Sequence, residues 1–72
     1  MTFDKHAAHA MNAERPPIEA WDVGRVLVEP DRDDGHRASK RIGRRLVNVY
    51  YDETEDEIHI RTVSATRGRL AP

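Results

Sequence analysis

The sequence predicts an α+β domain in which two N-terminal helices pack on one face of an antiparallel sheet of three strands, with a fourth strand as an option. Apolar residues recur with a helical period over the first 29 residues, and the last third alternates with a period of two. A turn-rich segment, 30–35, separates these two halves. The chain has 72 residues, enough for one small domain. We assign this domain to residues 1–66 and expect residues 67–72 to form a flexible tail.

Two apolar stripes predict the helices. The first helix is expected over residues 2–14, and it ends there because Arg15 precedes a proline and is biased away from helical backbone angles. The second is expected over residues 17–29, with proline tolerated in its first turn. We place Trp21 of this helix in the core, with a partner interface as the alternative. Gly24 is expected to let another element pack closely against the helix.

Three strands are predicted at residues 36–42, 45–51 and 57–64, where β-branched and aromatic residues are frequent. Gly43 and Arg44 form a tight turn, and the acidic segment 52–56 forms a hairpin loop. If the strands pair in order, the residues facing the helices are Ile42, Val47, Val49, Ile58 and Ile60. The opposite face then carries Arg37, Ser39, Arg41, Asn48, Tyr50, His59 and Arg61, with Leu46 and Val63 as apolar exceptions. A single bulge would exchange the faces.

Composition excludes several classes of protein. The chain has no cysteine, so disulfides and thiolate chemistry are excluded. No apolar run approaches the roughly 20 residues of a membrane span, and the N-terminal segment lacks a signal-peptide core. We therefore expect a cytoplasmic protein with no membrane role.

Because the hydrophobic content is only 38%, the core is thin, and a homodimer or a partner protein would add stability.

The net charge of −1 argues against strong electrostatic steering to nucleic acid, but the charges are unevenly spread. Residues 36–45 contain five bases and no acid, whereas residues 52–57 contain five acids and no base. Separated patches of this kind permit local phosphate binding. The acidic segment is interpreted as a solvated hairpin tip, with a docking surface for a basic partner as the alternative.

The polar side chains of the predicted sheet are those that RNA chemistry uses. Arginines bind phosphate through paired hydrogen bonds, a tyrosine ring stacks on a base, and histidine moves protons near neutral pH. The same residue types also occur on the solvated face of any half-exposed sheet, so both interpretations stay open.

A metal site is the weakest of the chemical hypotheses. His6 and His9 are three residues apart and would share a helix edge, but no motif fixes a third ligand, and solvated histidines are favoured. The aspartates of segment 31–34 lack the glycine and glutamate positions of a calcium loop. We therefore predict no metal and no cofactor.

Two segments resemble a known family. Residues 41–51 (RIGRRLVNVYY), followed by 58–65 (IHIRTVSA), are similar to the core of BrnT-type toxins. They also resemble a related small domain of unknown function whose helix opens with a histidine-alanine pair, as His6-Ala7 does here. The resemblance implies a RelE-like α+β fold and an RNA endonuclease toxin that cleaves mRNA by 2′-hydroxyl attack. It also implies a cognate antitoxin as partner.

Residue by residue, Arg41 matches the family's arginine before Ile-Gly, Arg61 its strand arginine and His6 its helix histidine. Thr66 stands where the family has an arginine. The predicted catalytic residues are Arg61, His59, Arg41 and His6. The predicted RNA-binding residues are Arg37, Lys40, Tyr50 and Asn48. The alternative function is a non-catalytic interaction module, or a degenerate toxin, on the same scaffold. The near-neutral charge and Thr66 favour that alternative.

Overall fold

The chain has an α+β fold in a computed structural model that describes residues 1–67. The helices and strands, in chain order, are β1 Thr2–Phe3, α1 Lys5–Ala13, α2 Ala20–Val28, β2 Arg32–Asp33, β3 Arg37–Ile42, β4 Arg45–Glu53 and β5 Ile58–Arg67. The predicted fold class is thereby confirmed. Residue 67, predicted to begin a tail, belongs to β5, and the rest of that tail lies outside the described residues.

The sheet has five strands in the order β1-β5-β4-β3-β2, and it is mixed. The antiparallel meander of β3, β4 and β5 was predicted and is present. The sheet also contains two strands that were not predicted. β2 is antiparallel to β3, and β1 runs parallel to β5 with Thr2 opposite His59. The predicted three- or four-stranded antiparallel sheet is therefore wrong, and the RelE-like assignment does not agree with this topology. Both added strands have two residues, too few to show a strand period.

Both helices begin later than predicted, because their N-cap residues, Asp4 and Glu19, lie further along the chain. The side chain of Asp4 accepts a hydrogen bond from the backbone N–H of His6 at 2.9 Å, so α1 begins after residue 4. The Asp4 N–H meanwhile donates to the carbonyl of Ile60 at 2.8 Å, which ties β1 to the sheet. At the start of α2, the Glu19 N–H donates to the carboxylate of Asp22 at 3.1 Å.

One hydrophobic core lies between the two helices and one face of the sheet. The buried apolar residues are Ala7, Met11, Ile18, Val23, Val26, Ala38, Val47, Val49, Tyr51, Ile60 and Val63. Ile42 and Ile58, also expected to face the helices, are partly buried against this cluster. Since both helices contribute to the same cluster, they cover the same face of the sheet, as predicted. We call the face turned away from them the open face.

Val63 was expected on the open face and is instead buried at 2% exposure. The cause is an irregularity in the β4–β5 pairing. Val49 lies opposite Val63, but Tyr51 lies opposite Ile60, so β5 contains one extra residue at this point. A β-bulge of this kind moves the following side chains to the other face of the strand.

Two predictions about α2 are wrong. Trp21 is 67% exposed rather than buried, because the side of α2 that faces the sheet carries Val23 and Val26. Gly24 does not accommodate a closely packed neighbour, since a Cβ built there would meet nothing within 4 Å.

Candidate active site

A polar cleft of about 650 Å³ lies where the start of α1 meets the open face of β4 and β5. The lining residues that carry its chemistry are Asp4, His6, Tyr50, Asp52, His59 and Arg61. Three of the four predicted catalytic residues therefore lie together, along with one predicted RNA-binding residue. The parallel β1–β5 pairing brings this about, because it carries the N-terminus of α1 to the beginning of β5.

Asp4 connects the two histidines of the cleft. Its Oδ1 lies 2.9 Å from Nδ1 of His6, and its Oδ2 lies 3.6 Å from Nε2 of His59. The other ring nitrogen of His59, Nδ1, lies 2.9 Å from Oγ1 of Thr2. The hydrogen bond from the His6 backbone N–H, followed by the bond from the His6 ring, lowers the pKa of Asp4 below its usual 3.8. Asp4 is therefore an anion throughout the neutral range.

An ionised carboxylate only accepts hydrogen bonds, so the Nδ1 of His6 must be the donor to Asp4. In the neutral imidazole this leaves Nε2 of His6 with its lone pair, and the side chain is 78% exposed. His59 differs because both of its ring nitrogens face a polar neighbour. An imidazole can accept a proton when it is neutral and give one up when it is protonated. The pair can thus present a proton acceptor and a proton donor on the two sides of one carboxylate.

Arg61 and Tyr50 supply binding groups beside the histidines. The Nε of Arg61 lies 3.7 Å from the carboxylate of Asp52, and both side chains are more than half exposed. Exposed ion pairs of this kind are weak, so the guanidinium remains able to bind a phosphate. The ring of Tyr50 lies beneath the guanidinium of Arg37, whose central carbon is 6.0 Å from the ring centroid.

The remaining predicted residues are distributed between the two faces. Asn48 lies on the open face, where it accepts a hydrogen bond from the Ser39 hydroxyl at 2.6 Å and lies 3.4 Å from the hydroxyl of Ser64. Arg41 does not line the cleft, and its backbone N–H donates to Asp31 at 2.8 Å. These residues connect neighbouring strands rather than completing the cleft.

Lys40 lies on the covered face, because it alternates with Ser39 along β3 and shares its side with Ala38. Its ammonium donates to the backbone carbonyl of Glu29 at the end of α2, at 2.9 Å, and its side chain is only 17% exposed. This contact holds the C-terminus of the helix. Lys40 therefore lies away from Arg37, Tyr50 and Asn48, the other predicted RNA-binding residues, which are on the open face.

Sequence reasoning did not place Asp4, Thr2 or His36 in the site. His36 lines the same cleft. The signal for Asp4 was present, since an aspartate before an apolar helical stripe is a common N-cap, but the helix was predicted to begin at residue 2. His36 reaches the cleft through a turn, and Thr2 reaches the ring of His59 through the β1–β5 pairing; no local pattern marks either contact.

Within residues 1–67, no group of three or more histidine, aspartate or glutamate side chains is arranged to hold a metal ion. The described part of the chain therefore offers no third ligand to a metal ion at His6 and His9. Of the two helices described, neither is long and apolar enough to cross a membrane.

Comparisons of the chain with models of known protein families, with curated proteins and with solved structures find no match. The resemblance to BrnT-type toxins stays a prediction from the sequence.

Proposed function

We propose that this chain is an RNA endonuclease of the toxin type, which cleaves its substrate by attack of a 2′-hydroxyl on the adjacent phosphate. One observation supports the proposal above others: Asp4 lies between His6 and His59 in a cleft that Arg61 and Tyr50 also line. Two imidazoles and a guanidinium are the groups that this reaction needs, and it needs no metal ion.

In the proposed reaction, Nε2 of His6 accepts the proton of the 2′-hydroxyl as its oxygen attacks phosphorus. The bond from phosphorus to the 5′-oxygen breaks, and the imidazolium of His59 gives its proton to that oxygen. The products are a 2′,3′-cyclic phosphate and a free 5′-hydroxyl. Arg61 stabilises the charge that develops on the phosphate oxygens, and Tyr50 holds a neighbouring base by stacking.

The open face beside the cleft is the proposed path of the RNA strand. Arg37 lies over Tyr50 and is exposed, and Asn48 follows on the same face. Arginine next to an aromatic ring is a common surface for single-stranded RNA, because every base offers a ring to stack on. In the toxin-like role, the chain acts on cytoplasmic mRNA and a cognate antitoxin binds and neutralises it.

The test is cleavage of a labelled, mixed-sequence RNA by the purified chain in the presence of a metal chelator. We expect fragments that end in a 2′,3′-cyclic phosphate, and no cleavage of the same sequence made as DNA. Arg61→Ala should lose at least 100-fold in rate, since it removes a charge that contacts the transition state. Arg44→Ala, which removes an exposed arginine outside the cleft, is the matched control. Intact RNA after incubation with a protein of native circular dichroism would reject the proposal.

A non-catalytic interaction module is the second candidate. It is favoured by the pairing of Arg61 with Asp52, by the position of Arg41 outside the cleft and by the exposure of Trp21. This candidate predicts a stable complex with the product of a neighbouring reading frame and no RNA cleavage by either protein. Cleavage that Arg61→Ala abolishes would exclude it.

A further inference from the structure

We propose that α2 is the interface of a homodimer, in which the same helix of a second copy packs against it in the antiparallel direction. The contact surface is the outward side of α2, formed by Trp21, Gly24, Arg25 and Val28, which we call the α2 stripe. The inference does not depend on the proposed ribonuclease function, because the α2 stripe lies outside the cleft.

The α2 stripe exposes two large apolar side chains. Trp21 is 67% exposed and Val28 is 80% exposed, whereas Val23 and Val26 on the inner side of the same helix are fully buried. Residues 21 and 28 are seven positions apart, so two helical turns separate them and they lie on one side of the helix. Burial of a tryptophan is among the largest single contributions to a protein interface.

Gly24 lies between these two side chains and leaves a notch in the surface. Apart from the backbone of α2 itself and the two chain neighbours of Gly24, no atom of the described residues comes within 4 Å of the position that its Cβ would take. Glycine in a helix interior is less favourable than alanine, so a free notch at this position needs a reason. The notch gives a second helix room to approach the backbone of α2 between Trp21 and Val28.

The charges beside the α2 stripe favour a second copy as the occupant. Asp22 and Arg25 lie on the same flank of the helix, and two antiparallel helices related by a two-fold axis bring that flank opposite itself. Each Asp22 then faces Arg25 of the second copy. Within the described part of the chain Arg25 forms no ion pair, so its guanidinium is available for this contact.

Trp21 is the only tryptophan of the chain, so its fluorescence reports directly on the proposed interface. We would measure molecular mass by sedimentation and tryptophan emission from about 1 μM to about 1 mM protein. We expect the mass to double from 8.3 kDa and the emission to shift to shorter wavelength over the same concentration range. A constant monomer mass would overturn the proposal, and so would a dimer whose emission does not shift.

Two variants at exposed positions test the contact itself. Trp21→Gln and Arg25→Glu should each raise the dimer dissociation constant at least tenfold, the first by removing buried area and the second by placing a second carboxylate against Asp22. Lys5→Glu on α1 makes the same change of charge and is the matched control. Equal weakening by Arg25→Glu and Lys5→Glu would contradict the proposal. RNA cleavage by the Arg25→Glu monomer would separate this question from the proposed function.

Discussion

The two faces of the sheet are built from the same three long strands, yet they have different interactions. The covered face is apolar, with Val47, Val49 and Ile60 buried under the helices. On the open face, Asn48 and its serine neighbours form hydrogen bonds across the strands, and Tyr50 pairs with an arginine. Because alternate residues of a strand point to opposite sides, one stretch of sequence specifies both faces. The difference predicts that stability depends mainly on the covered face, and the proposed function assigns substrate contact to the open face.

The largest expected difference between the faces is in folding stability. Ile60→Ala on the covered face should lower the free energy of unfolding by about 2–5 kcal/mol, because it leaves a cavity in a closely packed core. Asn48→Ala on the open face should cost less, about 1–2 kcal/mol, because it removes the hydrogen bond with Ser39 but takes no apolar side chain out of the core. Urea denaturation followed by circular dichroism measures both values. Equal losses would show that the two faces contribute equally to stability.

A second contrast uses two basic residues of β3. Lys40→Ala should lower the free energy of unfolding by about 1 kcal/mol, because it removes the cation that donates to the carbonyl of Glu29 at the end of α2. Its affinity for RNA should not change. Arg37→Ala should leave stability nearly unchanged and weaken RNA binding, with a smaller dependence on salt concentration. Thermal melts and RNA titrations at two salt concentrations separate the effects. The reverse outcome would mean that the faces are wrongly assigned.

The last effect, of about the same size, concerns the hydrogen bond that links β4 to the edge strand β2. The Tyr51 hydroxyl donates to Asp33 at 2.6 Å, and this hydrogen bond, followed by burial, raises the pKa of Tyr51 to about 12. Tyr51→Phe should therefore cost about 1 kcal/mol at neutral pH. The raised pKa stabilises the fold below the unfolded value of about 10, and this contribution is lost as pH rises towards 12. The difference in the free energy of unfolding between Tyr51→Phe and the wild type should therefore decrease in alkaline solution. A difference that does not change with pH would contradict this assignment.

The sequence predicted those parts of the fold that long periodic segments specify. Both helices, the β3–β4–β5 meander and most of the covered face follow from apolar periodicity. The two-residue strands β1 and β2 could not be predicted, because β1 forms by pairing with the distant strand β5 and β2 is too short to show a strand period. Val63 was misplaced because a bulge has no reliable local signature, and Trp21 because an apolar residue at a helix edge can lie on either side.

The sequence indicated which residue types form the site, but not how they are arranged in space. His6, His59 and Arg61 were expected to act together, and they line one cleft. Asp4 was missed, although it bonds to one histidine and faces the other, because its position depends on where α1 begins. Lys40 was predicted to bind RNA, yet it lies on the covered face, since successive residues of a strand point to opposite faces.

In the proposed reaction, His6, oriented by Asp4, accepts the proton of the 2′-hydroxyl. The most direct measurement is the single-turnover cleavage rate of the wild type, His6→Gln and His9→Gln, with thermal melts of all three. His9 lies on the same helix outside the cleft and is the matched control. We expect His6→Gln to lose about 10²–10⁴-fold in rate and His9→Gln to keep the wild-type rate, because a positioned proton acceptor contributes about that much. Equal rates for His6→Gln and wild type would contradict the account.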